Sequence, residues 1–145
     1  MMIEAKNVGK YFYIKNNELT PKQIQKLTYY AYAWFIVAKN GTRLFEEPPQ
    51  AWVHGPVFRS LYDAMRYSEF YNDTSDQKKL DSNTRKFLDT IYTIYGKYPG
   101  NDLERLTHSE SPWKKARERA GLKECPTVRS MEEIKDEDII EWGNT

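Results

Sequence analysis

Two histidines are the first side chains to test for chemistry, because imidazole can ligate a metal or move a proton near neutral pH. His54 lies in Ala51-Trp52-Val53-His54-Gly55-Pro56-Val57, and His108 follows Leu106-Thr107. A metal site would ask for His-x-x-x-His, His-Glu-x-x-His or a cysteine pair, and none of these occurs. Glu110 near His108 is a common coincidence. Both histidines are therefore read as structural, and no metal is expected. Cys125 is the single cysteine, so no intrachain disulfide can form, and Glu124-Cys125-Pro126 carries no pattern that would activate a thiolate. Phosphate-loop, dinucleotide-binding and hydrolase-elbow motifs are absent, and the carboxylates fall mostly on polar faces. No catalytic residue and no cofactor are assigned. A small enzyme with His54 or His108 as base stands as a lesser alternative.

The elements that would position these residues read as helices. Apolar positions from Ile3 to Ile14 follow helical spacing, weakened by Gly9. Thr20-Pro21-Lys22-Gln23 is a start signal: Thr20 caps, Pro21 suits the first turn, and Gln23 bonds back. The helix that follows carries one stripe of Ile24, Leu27, Ala31, Trp34, Phe35 and Ala38, and a second of Tyr29, Tyr32, Ala33 and Ile36. A helix apolar over most of its circumference is central. The second stripe is read as core, with a partner surface as the alternative, because tyrosine offers contact area with a polar tip. Asn40-Gly41 closes the helix.

Pro48 and Pro49 exclude a helix through the next stretch, which is expected to form a loop or small hairpin. Gly55-Pro56 supplies a turn, with Pro56 as first residue of a third helix containing Val57, Leu61 and Met65 and ending near Tyr67. Residues 72–83 are polar, with only Leu80 apolar, and should be an exposed connection. Phe87, Leu88, Ile91, Ile94, Tyr95 and Tyr98 mark a fourth helix. A short helix over Asp102 to Thr107 is expected, capped by Asn101, with Leu103 and Leu106 facing inward. Ser111-Pro112-Trp113 opens another that Gly121 closes. Ser130 and Glu133 suggest a capping box before Ile139, Ile140 and Trp142, which could dock the C-terminal end. The expected fold is mostly α: one domain over 1–145, a compact bundle of six or seven helices around a central aromatic-rich helix, with one short β excursion.

Twenty-two Lys and Arg against twenty-one Asp and Glu leave a net charge of +1, which provides no field toward nucleic acid or anionic lipid. Lys114, Lys115, Arg117 and Arg119 form the tightest basic cluster and read as a solvated helix face. The chain has no signal-peptide pattern and no apolar run near ~18 residues, so neither secretion nor a membrane partner is expected. A lone cysteine fits a reducing compartment, and a cytoplasmic location is the expectation. Eleven Tyr, six Phe and four Trp in a hydrophilic chain fit a surface that binds protein.

Three stretches together, Leu19 to Ala31, Ala51 to Val57, and Leu106-Thr107-His108 with Ser111-Pro112-Trp113, resemble the Panacea domain, the SocA-like or phage-associated GepA-like family, in order and spacing. Thr28 departs from the pattern, standing where an apolar residue is usual. The resemblance implies a helical antitoxin, bacterial or prophage-borne, that neutralises a cognate protein toxin by direct contact. Delivery of a toxin or other client to a cytosolic AAA+ protease is the alternative, and the oligomeric state is left open. The motif positions Thr20, Pro21, Lys26, Leu27, Tyr30, Trp52, Gly55, Pro56, Val57, Thr107, His108, Pro112 and Trp113 read first as architecture. Trp52 is expected to plug the core beside the central helix, and Trp113 to pack against the end of the helix before it. The candidate contact surface gathers aromatics and the charges near them: Tyr29, Tyr32, His54, Arg59 and Tyr62.

Overall fold

In a computed structural model that describes residues 2–72 and 75–145, the central element is α2, Pro21–Ala38. Its start is the reciprocal cap expected there. Thr20 Oγ1 accepts from the Gln23 amide at 3.2 Å, and Gln23 Oε1 accepts from the Thr20 amide at 2.8 Å. These two bonds satisfy donors that a helix N-terminus otherwise leaves open. Gly41, at φ +100°, returns its amide to Ile36 O at 2.9 Å and closes the far end. Between these ends every residue from Ile24 to Ala33 is buried, because α1 (Ala5–Lys15), α3 (Arg59–Met65), α5 (Ser82–Tyr95), α6 (Gly100–Ser109) and α8 (Asp136–Gly143) all pack on α2. Helix α4 (Ser68–Asn72) and α7 (Ser111–Arg119) complete the set. Among the described residues there are thus eight α-helices, against the six or seven expected, the short α4 being unread in the sequence.

The core is aromatic. Tyr30 stacks on Tyr95 at 4.0 Å, Tyr32 sits between Phe45 and Phe58, and Trp34 meets Trp142 of α8 at 4.8 Å. Trp142 and the fully buried Ile139 dock the C-terminal helix. Gly9, a weakness on propensity, lies where a Cβ would come within 2.7 Å of Leu61 Cδ1, so its bareness permits the approach of α1 to α3. Thr28 tolerates full burial because Oγ1 donates to Ile24 O at 2.7 Å, removing the unsatisfied hydroxyl that would otherwise destabilise this apolar position.

The β excursion is a hairpin, β1 (Gln50–Trp52) and β2 (Gly55–Val57), paired Gln50↔Val57, Ala51↔Pro56 and Trp52↔Gly55 around Val53-His54. The segment before α8 lies along its free edge: the Ala51 amide donates to Glu132 O, and the Ile134 amide to Pro49 O, each at 2.8 Å.

Several boundaries differ from expectation. Pro56 belongs to β2 and does not start α3. Gln25 of α2 grips Phe58 at both ends, accepting from its amide at 3.0 Å and donating to its carbonyl at 3.1 Å. That clamp holds Phe58 extended, so the helix starts at Arg59. Helix α6 begins at Gly100, with Pro99 O accepting the first amides and the Asn101 side chain taken by Lys22. Leu106 and Ile94, expected inward, fall at the exposed edges of their stripes, as does Tyr98 just past α5. Ser130 and Glu133 form no helix cap: Ser130 Oγ accepts from the Glu132 amide, Glu133 bridges to Gln50, and α8 starts at Asp136. The connection expected over 72–83 contains a 3₁₀ turn, Ser75–Lys79, and a cap at Asp81 that opens α5, while positions 73 and 74 lie outside the described residues.

A groove beside the hairpin as candidate functional site

The first turns of α2, the hairpin, α3 and the loop after α7 enclose an open groove of about 840 Å³. Strand alternation places its aromatic wall. Ala51 points inward and is fully buried, which sends Trp52 the other way. Trp52 therefore does not plug the core as expected. Its half-buried ring forms the groove wall, 4.9 Å from Tyr62 and beneath the Arg59 guanidinium at 5.9 Å. Both partners come from the first turn of α3, where they stay at the surface because Leu61 and Met65 take the inward positions. Opposite them Met131, 63% exposed, receives Arg59 Nη1 at 3.8 Å from its sulfur.

Beneath the hairpin the resemblance-bearing residues interlock. Gly55 has φ +107°, and a Cβ there would meet Lys26 Cε at 2.8 Å and Thr107 Oγ1 at 2.9 Å. Trp113 Nε1 donates to Trp52 O at 2.8 Å, and its ring stacks on His108 at 4.0 Å, the packing expected of it. Lys26 is 2% exposed and donates to Pro56 O at 3.2 Å. Burial pulls its ammonium down from 10.5 to about 7, the Glu104 charge opposing this in part.

At the edge, Glu104 of α6 takes Lys22 Nζ at 2.8 Å and lies 3.3 Å from His54 Nδ1. Burial acts to raise its carboxyl, and the hydrogen bonds of Lys22 and His54 outweigh that and hold it below the usual range. His54 is exposed in the hairpin turn. His108 is half-buried, its Nε2 without a hydrogen-bond partner among the described residues, and burial lowers its pKa below 6.5. His54 and His108 thus border the same region. Cys125 is exposed in the loop after α7, and no cluster of three or more His, Cys, Asp or Glu side chains gathers as a metal site among the described residues.

Of the five candidate contact residues, His54, Arg59 and Tyr62 line this groove. Tyr29 and Tyr32 do not, and their place in a contact surface is corrected. They are 1% and 0% exposed, packed where α2 is covered on all sides, and Tyr32 OH donates to Asp136 at 2.6 Å. Tyr30 is buried likewise and donates to Glu110, whose carboxyl burial raises to about 7. Lys22, Met65, Arg129 and Met131 also line the groove and were missed, since single polar and Met residues on three separate segments carry no joint signal.

The basic cluster of α7 also needs correcting. Arg117 is 2% exposed, its guanidinium over the Trp113 ring at 5.3 Å and donating to the carbonyls of Ala51, Cys125 and Val128. Lys115 and Arg119 pair with Asp138 and its neighbours. Lys114 and Arg119 are exposed and Lys115 is partly so, and Arg117 alone departs from the solvated face expected of the four.

No helix among the described residues is long and apolar enough to cross a membrane. Searches of curated proteins and of solved structures return no match to this chain. A family model does match, described as antitoxin SocA-like, Panacea domain, over residues 24–114, a stretch that includes Lys26, the whole hairpin and Trp113. With well over half of its length inside that match, the chain belongs to the SocA-like Panacea antitoxin family.

Proposed function

We propose that this protein is the antitoxin of a toxin–antitoxin pair and works in the cytosol by occupying a protein toxin through direct contact. The observation that carries this reading is the placement of the groove. The family segment Ala51 to Val57 builds a rigid hairpin, and the same hairpin turns Trp52 and His54 outward beside Arg59 and Tyr62. Aromatic and Arg side chains on a fixed scaffold are the residues that concentrate binding energy at protein interfaces. His54, Arg59 and Tyr62, with Trp52, are the proposed contact residues, and catalysis has no part in the reading.

Co-expression with the protein encoded by the adjacent gene tests it. The neighbour alone should arrest growth, and this chain should restore growth and co-purify with it. Toxin abundance should stay constant during rescue, because occlusion leaves the toxin intact whereas delivery to a protease would deplete it. A harmless neighbour, or arrest that persists with this chain present at excess, sinks the proposal.

A further inference from the structure

We infer that the groove receives an acidic segment of the partner protein, one whose carboxylates meet Lys22, Arg59 and Arg129 while an apolar or aromatic side chain seats on Trp52, Tyr62 and Met131. The inference rests on the antitoxin reading for the identity of the partner as a protein, and on the groove itself for the chemistry of the segment.

Charge complementarity carries it. Acidic and basic residues are almost equal in number along the chain, twenty-one against twenty-two, yet Lys22, Lys26, Arg59 and Arg129 line the groove with His54, and no Asp or Glu does. A concave site lined by one sign of charge concentrates the field within it. The floor adds a second reason. Lys26 is buried there beneath the hairpin, and its bond to Pro56 O accounts for one of three ammonium donors. Burial holds this ammonium near the edge of deprotonation despite the Glu104 charge, and a carboxylate entering the groove would add to that partial compensation. The apolar surfaces on both sides are also open to a ligand: Tyr62 and Met131 are 40% and 63% exposed.

A nucleic-acid strand is the less favoured occupant. A phosphate backbone needs cations continuing beyond the pocket. Here Glu104 beside Lys22 and His54, and Asp63 at 3.3 Å from Arg59, share those cations and confine the positive charge to the groove, which suits a short acidic segment better than a continuous strand.

Random dodecapeptides displayed on phage and selected on the full chain read the preference directly. The expected consensus pairs Asp or Glu with an aromatic residue or Leu. Fluorescence anisotropy with the selected peptide should show roughly tenfold weaker binding to the R59E/R129E double variant, and a similar loss when the peptide's Asp and Glu become Asn and Gln. Both substituted side chains are at the surface, so the variant should fold. A neutral or basic consensus, no enrichment, or undiminished binding to R59E/R129E overturns the inference. So does competition of the peptide by an oligonucleotide with a steep salt dependence, or a dimer in sedimentation that R59E/R129E dissociates. Co-expression separates this inference from the antitoxin reading. Equal rescue by wild type and R59E/R129E removes the groove and leaves the antitoxin, whereas no rescue by either, with an acidic consensus, does the reverse.

Discussion

Lys26 should leave a signature in the pH dependence of stability. Its ammonium is buried in the folded protein with a pKa of about 7, against the ordinary 10.5 in the unfolded chain. Between those values the unfolded state holds a proton that the folded state has released, so stability rises with pH. The contribution is fully present above 10.5 and is lost as pH falls through 7. From pH 7 to 9 it amounts to about 2 kcal/mol, since the folded side chain goes from half to fully deprotonated while the unfolded one stays charged. Lys26→Met keeps most of the apolar stem and removes the titration. Urea unfolding followed by tryptophan fluorescence at pH 7, 8 and 9 measures the effect. The wild-type curve minus that of K26M should climb by about 2 kcal/mol, a shift of the order of 1 M in midpoint difference. Subtraction removes Glu110, whose raised carboxyl acts in the opposite direction below neutrality, and His108, whose lowered pKa acts below 6.5. Tyrosines of the unfolded chain titrate near 10, above the window. Parallel curves for the two proteins would show that Lys26 is not a buried, depressed ammonium and would refute the reasoning.

Two further variants probe the hairpin and its support. Gly55→Ala adds a Cβ at φ +107°, within 2.9 Å of Thr107 Oγ1 and 2.8 Å of Lys26 Cε, so backbone strain and overpacking act together. A loss of about 2–5 kcal/mol is expected, read as a fall of roughly 5–15 °C in Tm, and a loss below about 1 kcal/mol would contradict the geometry. Arg117→Met retains the stacked volume on Trp113 but deletes the donors that hold the Cys125 and Val128 carbonyls. Hydrogen exchange at the Cys125 and Val128 amides, which close the turns of this loop, should accelerate about tenfold while α2 is unchanged. Uniform acceleration across the chain would mean that Arg117 supports the whole fold and not this loop.

What could be read from the sequence follows from how local the determining contact is. The start of α2 was legible because Thr20 and Gln23 satisfy each other three residues apart. The start of α3 was not, because Gln25 sets it from thirty-three positions away, and nothing near Pro56 records that clamp. Tyr29 and Tyr32 mark a different failure. On a helix apolar nearly all round, a buried stripe and an exposed aromatic stripe have the same spacing, and only the count of neighbouring helices decides. Arg117 is illegible for a related reason. Beside Lys114, Lys115 and Arg119 it looks like one more solvated cation, yet the carbonyls that bury it come from β1 and from the loop at 125–128. The groove combines both difficulties, since its wall, rim and floor arrive from four segments that meet only in the fold.

The Ala51 to Val57 segment shows why family motif and contact site could not be told apart on sequence alone. Its two-residue strand period sends Ala51 and its cross-strand partner Pro56 inward and Trp52 outward, while Gly55 packs on Lys26 and Thr107 and His54 stands exposed in the turn, so one stretch serves both purposes. Substitutions on it should therefore separate by face. Changes at Gly55 act on stability through Lys26 and Thr107, and changes at His54 act on the groove and its Glu104 edge. Trp52 belongs to both sets, because its carbonyl receives the Trp113 indole while its ring supports Arg59 and Tyr62. Its main-chain bond survives any side-chain change, and a Trp52→Ala protein should therefore lose binding more than folding.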